Sequence, residues 1–210
     1  MGIPVLILGE SGSGKSASLR NFEAEDVSIF NVAAKPLPFR KRLPMKATFD
    51  YNTIVKGINQ SQKKAFVIDD SQYLMCFESF ARAKETGYGK YTDFALHFYN
   101  LVQFVIKHTP PDVIVYFLHH TETDGNTGKT KAKTMGKMLD SQLTLEGLFS
   151  IVLLCATDGK KYSFITQSDG FTTCKSPMKM FPEVIDNDLK FVDRTIREYY
   201  ELNEKEKNND

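Results

Sequence analysis

The residues with the most chemical content lie close to the start of the chain, in the octet Gly9-Glu10-Ser11-Gly12-Ser13-Gly14-Lys15-Ser16. It satisfies G-x-x-x-x-G-K-[ST] at every fixed position, the pattern by which a glycine-rich loop wraps phosphate. Glycines let backbone N–H groups turn inward around phosphate oxygens. Lys15 would reach the β- and γ-phosphates of a nucleotide, the Ser16 hydroxyl would coordinate Mg²⁺, and Ala17 closes the cradle. A second group, Asp69 and Asp70, ends the apolar run Ala65-Phe66-Val67-Ile68. Asp69 is placed to hold Mg²⁺ directly or through water, and Asp70 to orient or deprotonate an attacking water. His120, with His119 as the second choice, ends another apolar run and is a candidate sensor of the γ-phosphate. Neighbours on a strand point to opposite faces, so the two histidines do not form a shared metal site.

These groups need elements that hold them. Ile3 to Leu8 reads as a buried strand and Ser16 to Phe22 as the first turns of a helix, whose N-terminal dipole end would favour phosphate. Val27 to Val32 alternates as a second strand. Three prolines between Lys35 and Pro44 exclude regular structure there, and the cluster Lys35, Arg40, Lys41 and Arg42 is either a solvated connection or a contact surface. Helical spacing covers Tyr51 to Ser61, Tyr73 to Lys84, Asp93 to His108 and Leu189 to Leu202. Ala65 to Asp70 and Asp112 to Leu118 are buried strands with polar residues at their ends, the arrangement of a parallel sheet. Leu148 to Ala156 and Lys161 to Gln167, joined by Asp158-Gly159, predict an antiparallel hairpin at the sheet edge. Lys84 to Tyr91 and Phe181 to Asp188 read as loops.

Two further basic features stand out. The segment Glu122 to Lys137 carries Lys129, Lys131, Lys133 and Lys137 among Gly and Thr, and is the best nucleic-acid candidate in the chain, or else a solvated hairpin tip. Lys175, in Thr173-Cys174-Lys175-Ser176-Pro177, follows the edge hairpin, from where it could reach the γ-phosphate of a neighbouring protomer. A positive charge supplied between protomers, by Lys175 or by the Lys131/Lys133 segment, would make turnover depend on oligomerisation.

Composition bounds the rest. The chain has 210 residues, 41% hydrophobic and 25% charged, which suits one globular domain over 1–197 with a polar tail over 198–210. The net charge of +1 does not single out nucleic acid or membrane. Three widely spaced cysteines form no C-x-x-C pair, which argues against a disulfide framework or zinc site and for a reduced, cytoplasmic setting. The first apolar run is too short to be a signal core or membrane span.

Several phosphate-loop classes separate by what is missing. ABC transporter ATPases need L-S-G-G-Q and GTPases need N-K-x-D, and neither occurs here. Nucleoside kinases carry a basic lid that this chain lacks. The placement of Asp69 and Asp70 suits ATPases with an extra strand between the loop strand and the acid-bearing strand. Over most of its length the chain resembles phage-encoded RecA-like P-loop ATPases of the single-strand annealing and recombination type, a group also described as AAA-family. The resemblance rests on Gly9 to Ser16, Ala65 to Asp70, the strand ending in His120, the Lys-rich segment ending Gly136-Lys137, Thr173 to Pro177 and Ile185 to Leu189. It departs from RecA proper in pairing Asp70 with Asp69, in lacking an N-terminal helix and in length. The resemblance implies an α/β, RecA-like P-loop NTPase fold: a mostly parallel central sheet flanked by helices, with the antiparallel edge hairpin. It also implies ATP and Mg²⁺ as ligands, single-stranded DNA as partner, ring or filament assembly, and the bacterial host cytoplasm as location. The expected activity is ATP hydrolysis in phage recombination or replication. The alternatives are a nucleotide-dependent assembly or helicase-loader protein, and a small-molecule kinase.

Overall fold

The computed structural model describes residues 1–87, 89–136 and 138–202. It is an α/β structure in which nine strands among the described residues form one mixed sheet. The strands are β1 (Ile3–Gly9), β2 (Val27–Asn31), β3 (Met45–Ala47), β4 (Ala65–Asp69), β5 (Ile114–Thr123), β6 (Thr130–Ala132), β7 (Ile151–Thr157), β8 (Tyr162–Ile165) and β9 (Val184–Asp186). They run in the order β3-β2-β4-β5-β1-β7-β8-β9, with β6 added to the end of β5. Neighbours from β3 to β7 pair in parallel, whereas β8 and β9 extend the edge antiparallel. One strand, β5, separates β1 from β4.

The central strands are buried on both faces, which is why they read as continuous apolar runs rather than alternating ones. Their two faces feed two cores. Leu6, Leu8, Phe66, Ile68, Val115 and Phe117 pack under α1 (Tyr51–Gln60), α2 (Gln72–Ala81) and α3 (Gly89–His108). Val5, Ile7, Val67, Ile114 and Tyr116 pack under α4 (Leu189–Tyr199) and the short helix after β1. The helix starts are chemically marked. Asp50 accepts from the Asn52 and Thr53 amides ahead of α1, and Asp188 from the Lys190 and Phe191 amides ahead of α4. Below the sheet, Tyr116 Oη donates to Asp193 and Arg197 clamps the same carboxylate at 2.8 Å, which ties α4 to β5.

Four local expectations change or narrow. The helix after β1 is a 3₁₀ segment of only six residues, Ser16–Asn21, too short for a sizeable helix dipole. Past the apolar part of β5 the strand runs on to Thr123 and β6 folds back on it, with Glu122 opposite Lys131, so the Lys-rich segment begins as a hairpin, one of its two readings. The expected loops at Lys84 to Tyr91 and Phe181 to Asp188 contain the start of α3 at Gly89 and all of β9. β3 also lies just beyond the proline-rich stretch, and its three exposed residues are too few to carry a strand pattern. Among the described residues no helix is long and apolar enough to cross a membrane. Lys137 and 203–210 of the predicted polar tail lie outside the described residues.

Candidate functional site

Parallel pairing brings the tips of β1, β4 and β5 together. Gly9 stands opposite His120, and Asn31 at the tip of β2 stands opposite Asp69. The loop from Gly9 to Ser16 turns over this edge. Gly14 has φ +99°, and a Cβ there would lie 2.7 Å from Tyr162 Cδ1. A Cβ at Gly9 would lie 2.3 Å from Ser13 Oγ and 3.0 Å from Cys155 Cβ. Both glycines are therefore required by the fold of the loop as well as by any ligand. Lys15 is buried, with Nζ donating to the Gly9 and Glu10 carbonyls at 2.8 and 2.9 Å. Burial pulls its ammonium below the ordinary value. A lysine held by carbonyls rather than by a carboxylate keeps its full charge on offer to an anion.

Ser16 Oγ donates to Asp69 Oδ1 at 2.9 Å. The loop hydroxyl and the β4 carboxylate thus meet although they lie far apart in sequence. Burial, reinforced by the neighbouring Asp70 charge, pushes the Asp69 carboxyl above the usual carboxylate range. Two hard oxygens in contact, one on a carboxylate whose charge is disfavoured until a cation arrives, fit Mg²⁺, which takes few protein ligands and completes its shell with phosphate and water.

Asp70 breaks the alternation of β4. Its φ of +59° places it in the left-handed region, and the chain then crosses so that Ser71 N donates to the Leu118 carbonyl of β5. Asp tolerates this conformation better than most residues. Successive strand side chains ordinarily point to opposite faces. The turn instead carries Asp70 to His120, whose Nε2 donates to Oδ1 at 3.0 Å, and to Lys35, whose Nζ donates to Oδ2 at 2.7 Å. Burial works against the Asp70 charge, but the hydrogen bonds from His120 and Lys35 outweigh it and hold the carboxyl down at about 2. Tyr73 backs the group, with its ring centroid 5.1 Å from that of His120 and 5.2 Å from Lys35 Nζ.

The two histidines part company as strand geometry requires. His119 is fully buried, with Nδ1 2.9 Å from the Ser71 hydroxyl and Nε2 2.8 Å from the Lys133 carbonyl. The carbonyl can only accept, so Nε2 carries the proton and the Ser71 hydroxyl donates to Nδ1. Burial drives the His119 pKa down to about 3.

Gly9 to Ala17, Asp69, Asp70 and His120 therefore come together, and the other candidate residues form a separate group. Lys175 pairs by backbone with Val152, at the start of β7, and shares a cleft with Lys129, Lys131, Asp140 and Glu146. Lys131 is ion-paired with Asp140, and with Glu122 at 3.5 Å and Asp124 at 4.0 Å. Lys129 and Lys133 are exposed.

Sequence reasoning missed Lys35 as a member of the acid cluster and noted it only as one of four basic residues in an irregular stretch. It also missed a cleft of about 490 Å³ beside the loop, lined by Ala17, Arg20, Tyr162, Asn187 and Asp188. Arg20 there donates to the Asn187 carbonyl at 2.5 Å. The signal for Tyr162 lay in its position on the hairpin strand following β7, but only the structure shows that its ring, at the start of β8, lies over Gly14. No protein-family model and no curated protein matches the chain.

Proposed function

We propose that the protein is a Mg²⁺-dependent ATP-binding and hydrolysing enzyme of the RecA-like P-loop type. The observation that carries this reading is the 2.9 Å contact between Ser16 and Asp69, with Asp70 and His120 beside it. The position of β5 between β1 and β4 supports the RecA-like assignment. Ser16 and Asp69 would hold Mg²⁺, which would supply charge neutralisation at the phosphates. Lys15 leaves the Gly9 and Glu10 carbonyls for the β- and γ-phosphates. Tyr162 and Arg20 flank the cleft that takes the base. Asp70, oriented by His120, aligns the attacking water and accepts its proton. The water oxygen forms the new bond to the γ-phosphorus, the bond to the β,γ-bridging oxygen breaks, and its electron pair leaves with the diphosphate. Most of the catalysis is positioning and charge neutralisation.

Single-stranded DNA as partner rests on the exposed Lys129 and Lys133, because Lys131 is occupied by carboxylates. The test is phosphate release from ATP with Mg²⁺, with and without single-stranded DNA. Turnover that DNA stimulates is the expected result. Turnover indifferent to any DNA removes the DNA partner, transfer of the γ-phosphate to a metabolite rather than water points to a kinase, and failure to bind Mg-ATP removes the reading altogether.

A further inference from the structure

Phosphoryl transfer needs positive charge at the γ-phosphate beyond the loop lysine and the metal. The sequence suggested Lys175 or the Lys131/Lys133 segment of a neighbouring protomer. Within the protomer the structure offers a different lysine.

Lys35 stands just beyond the tip of β2, the strand beside β4. Its backbone is clamped by Asn31, whose side chain donates to the Lys35 carbonyl at 2.5 Å and accepts from the Lys35 amide at 3.2 Å. Asn31 is itself buried and opposite Asp69 in register, so the clamp fixes Lys35 relative to the Mg²⁺-binding edge. A left-handed residue, Ala34 at φ +55°, turns the chain into this position. The side chain then reaches Asp70 at 2.7 Å and lies against the Tyr73 ring. Only the root is fixed, since 58% of the Lys35 side chain is exposed against 11% for Asp70. An exposed amine on a pinned backbone can change partner at little cost.

We infer that Lys35 is a catalytic residue acting within its own protomer: it leaves Asp70 for the γ-phosphoryl oxygens when the nucleotide binds, and frees Asp70 for the water. The site is then flanked by two lysines, Lys15 from the β1 loop and Lys35 from the β2 loop. Bond changes are those of hydrolysis given above, with Lys35 keeping its proton throughout and countering charge on the equatorial oxygens. The assignment rests on the ATPase reading.

The experiment compares Lys35→Met and Lys35→Arg with wild type in Mg-ATP turnover, in binding of a fluorescent ATP analogue and in thermal unfolding. Lys35→Met is expected to bind the analogue within about threefold of wild type while kcat falls by ~10² to 10³-fold, the cost of removing one charge-stabilising donor. Lys35→Arg is expected to recover part of kcat. Mixing Lys35→Met with Lys15→Ala tests the protomer of action, because Lys15→Ala supplies an intact Lys35 on a subunit that turns over no nucleotide. No recovery of activity on mixing is expected. Wild-type kcat in Lys35→Met overturns the assignment, and so does recovery on mixing, which places the lysine in a neighbour's site. A wild type that binds no Mg-ATP overturns the ATPase reading and this assignment with it, so the two failures are told apart by the wild-type arm.

Discussion

Two regions of the molecule surround lysine with carboxylates, and they do so to opposite effect. At the tips of β1, β2 and β4, Lys15 and Lys35 face Asp69 and Asp70, and Lys15 is held by carbonyls alone. In the β5–β6 hairpin, Lys131 faces Asp140, Glu122 and Asp124. On the proposed function, the first region accepts a polyanion and a cation together. The second has already neutralised its lysine. Counting lysines along the chain ranks the hairpin first as an anion site, whereas counting partners in space reverses the order. His119 joins the regions physically, since its ring bonds Ser71 next to Asp70 on one side and the Lys133 carbonyl on the other.

The sharpest way to break this comparison is Lys15→Ala. It removes the one lysine of the site that no carboxylate engages, so turnover is expected to fall by ~10³-fold or more. Nucleotide affinity should fall with it, measured by titration with a fluorescent ATP analogue. Retained affinity would mean that the loop is not the anion site. Asp70→Asn is the next largest. It keeps the shape but leaves a single acceptor oxygen where Lys35 and His120 each donate to their own, and it removes the charge and the basicity, so kcat should drop by ~10² to 10⁴-fold, the usual worth of a positioned base. Because Asp69 and Ser16 are untouched, Mg²⁺-dependent binding should survive, and a matched loss of binding would move Asp70 from chemistry to metal binding.

How far the site was legible follows from the same contrast. That Gly9 to Ser16 and Asp69 form one site could be read, because their proposed roles depend on local spacing and on ending an apolar run, and Ser16 does meet Asp69. The mostly parallel sheet, its flanking helices and the edge hairpin were legible for a related reason: strands buried on both faces leave continuous apolar runs. Lys35 could not be read, since its role comes from the Asn31 clamp and a left-handed turn at Asp70 that brings β2 and β4 side chains to one point. The pairing of Lys131 was hidden likewise, because Asp140 approaches from beyond the hairpin. β3 and β9 escaped notice as edge strands of only three residues, too short to show a period, whose pairing is set by neighbouring strands rather than by their own pattern.

His119 gives a stability measurement that tests the link between the regions. Its folded pKa is lowered to about 3 from an ordinary 6.5. A depressed pKa means that the unfolded chain takes up the proton first as pH falls. Stability from neutral His119 is therefore complete above about pH 6.5 and is lost as pH falls toward 3, by about 1 kcal/mol per pH unit. Between about pH 5 and 6.5 carboxylates at their ordinary values stay ionised; the raised Asp69 carboxyl and the other histidines are common to wild type and to a His119 variant, so the difference between the two pH slopes reports His119. Urea unfolding of wild type should weaken across that window. His119→Gln should unfold at lower urea throughout but with a flatter pH dependence. An equal slope in both proteins would show that His119 is not the buried neutral bridge.

The smallest effect, and the most direct comparison of the two lysines, comes from Lys131→Met. Its side chain is a quarter exposed and shares three carboxylates, so its loss should cost about 1 kcal/mol or less in urea unfolding. Methionine keeps the stem packed against the hairpin, which limits the change to charge. If Lys131 is committed to those carboxylates, single-stranded DNA affinity should stay within about twofold of wild type, because no counterion is released from a lysine that already has its partners. Lys129→Ala with Lys133→Ala removes two exposed charges instead. That pair should weaken binding and shrink the salt slope, by about 0.7 for each single-strand phosphate that is no longer neutralised. Loss of DNA binding in Lys131→Met alone, with the double variant unaffected, would mean that the carboxylates release Lys131 to the DNA. The hairpin would then be a second open site, and the contrast between the two regions would reduce to which anion each one is built to wait for.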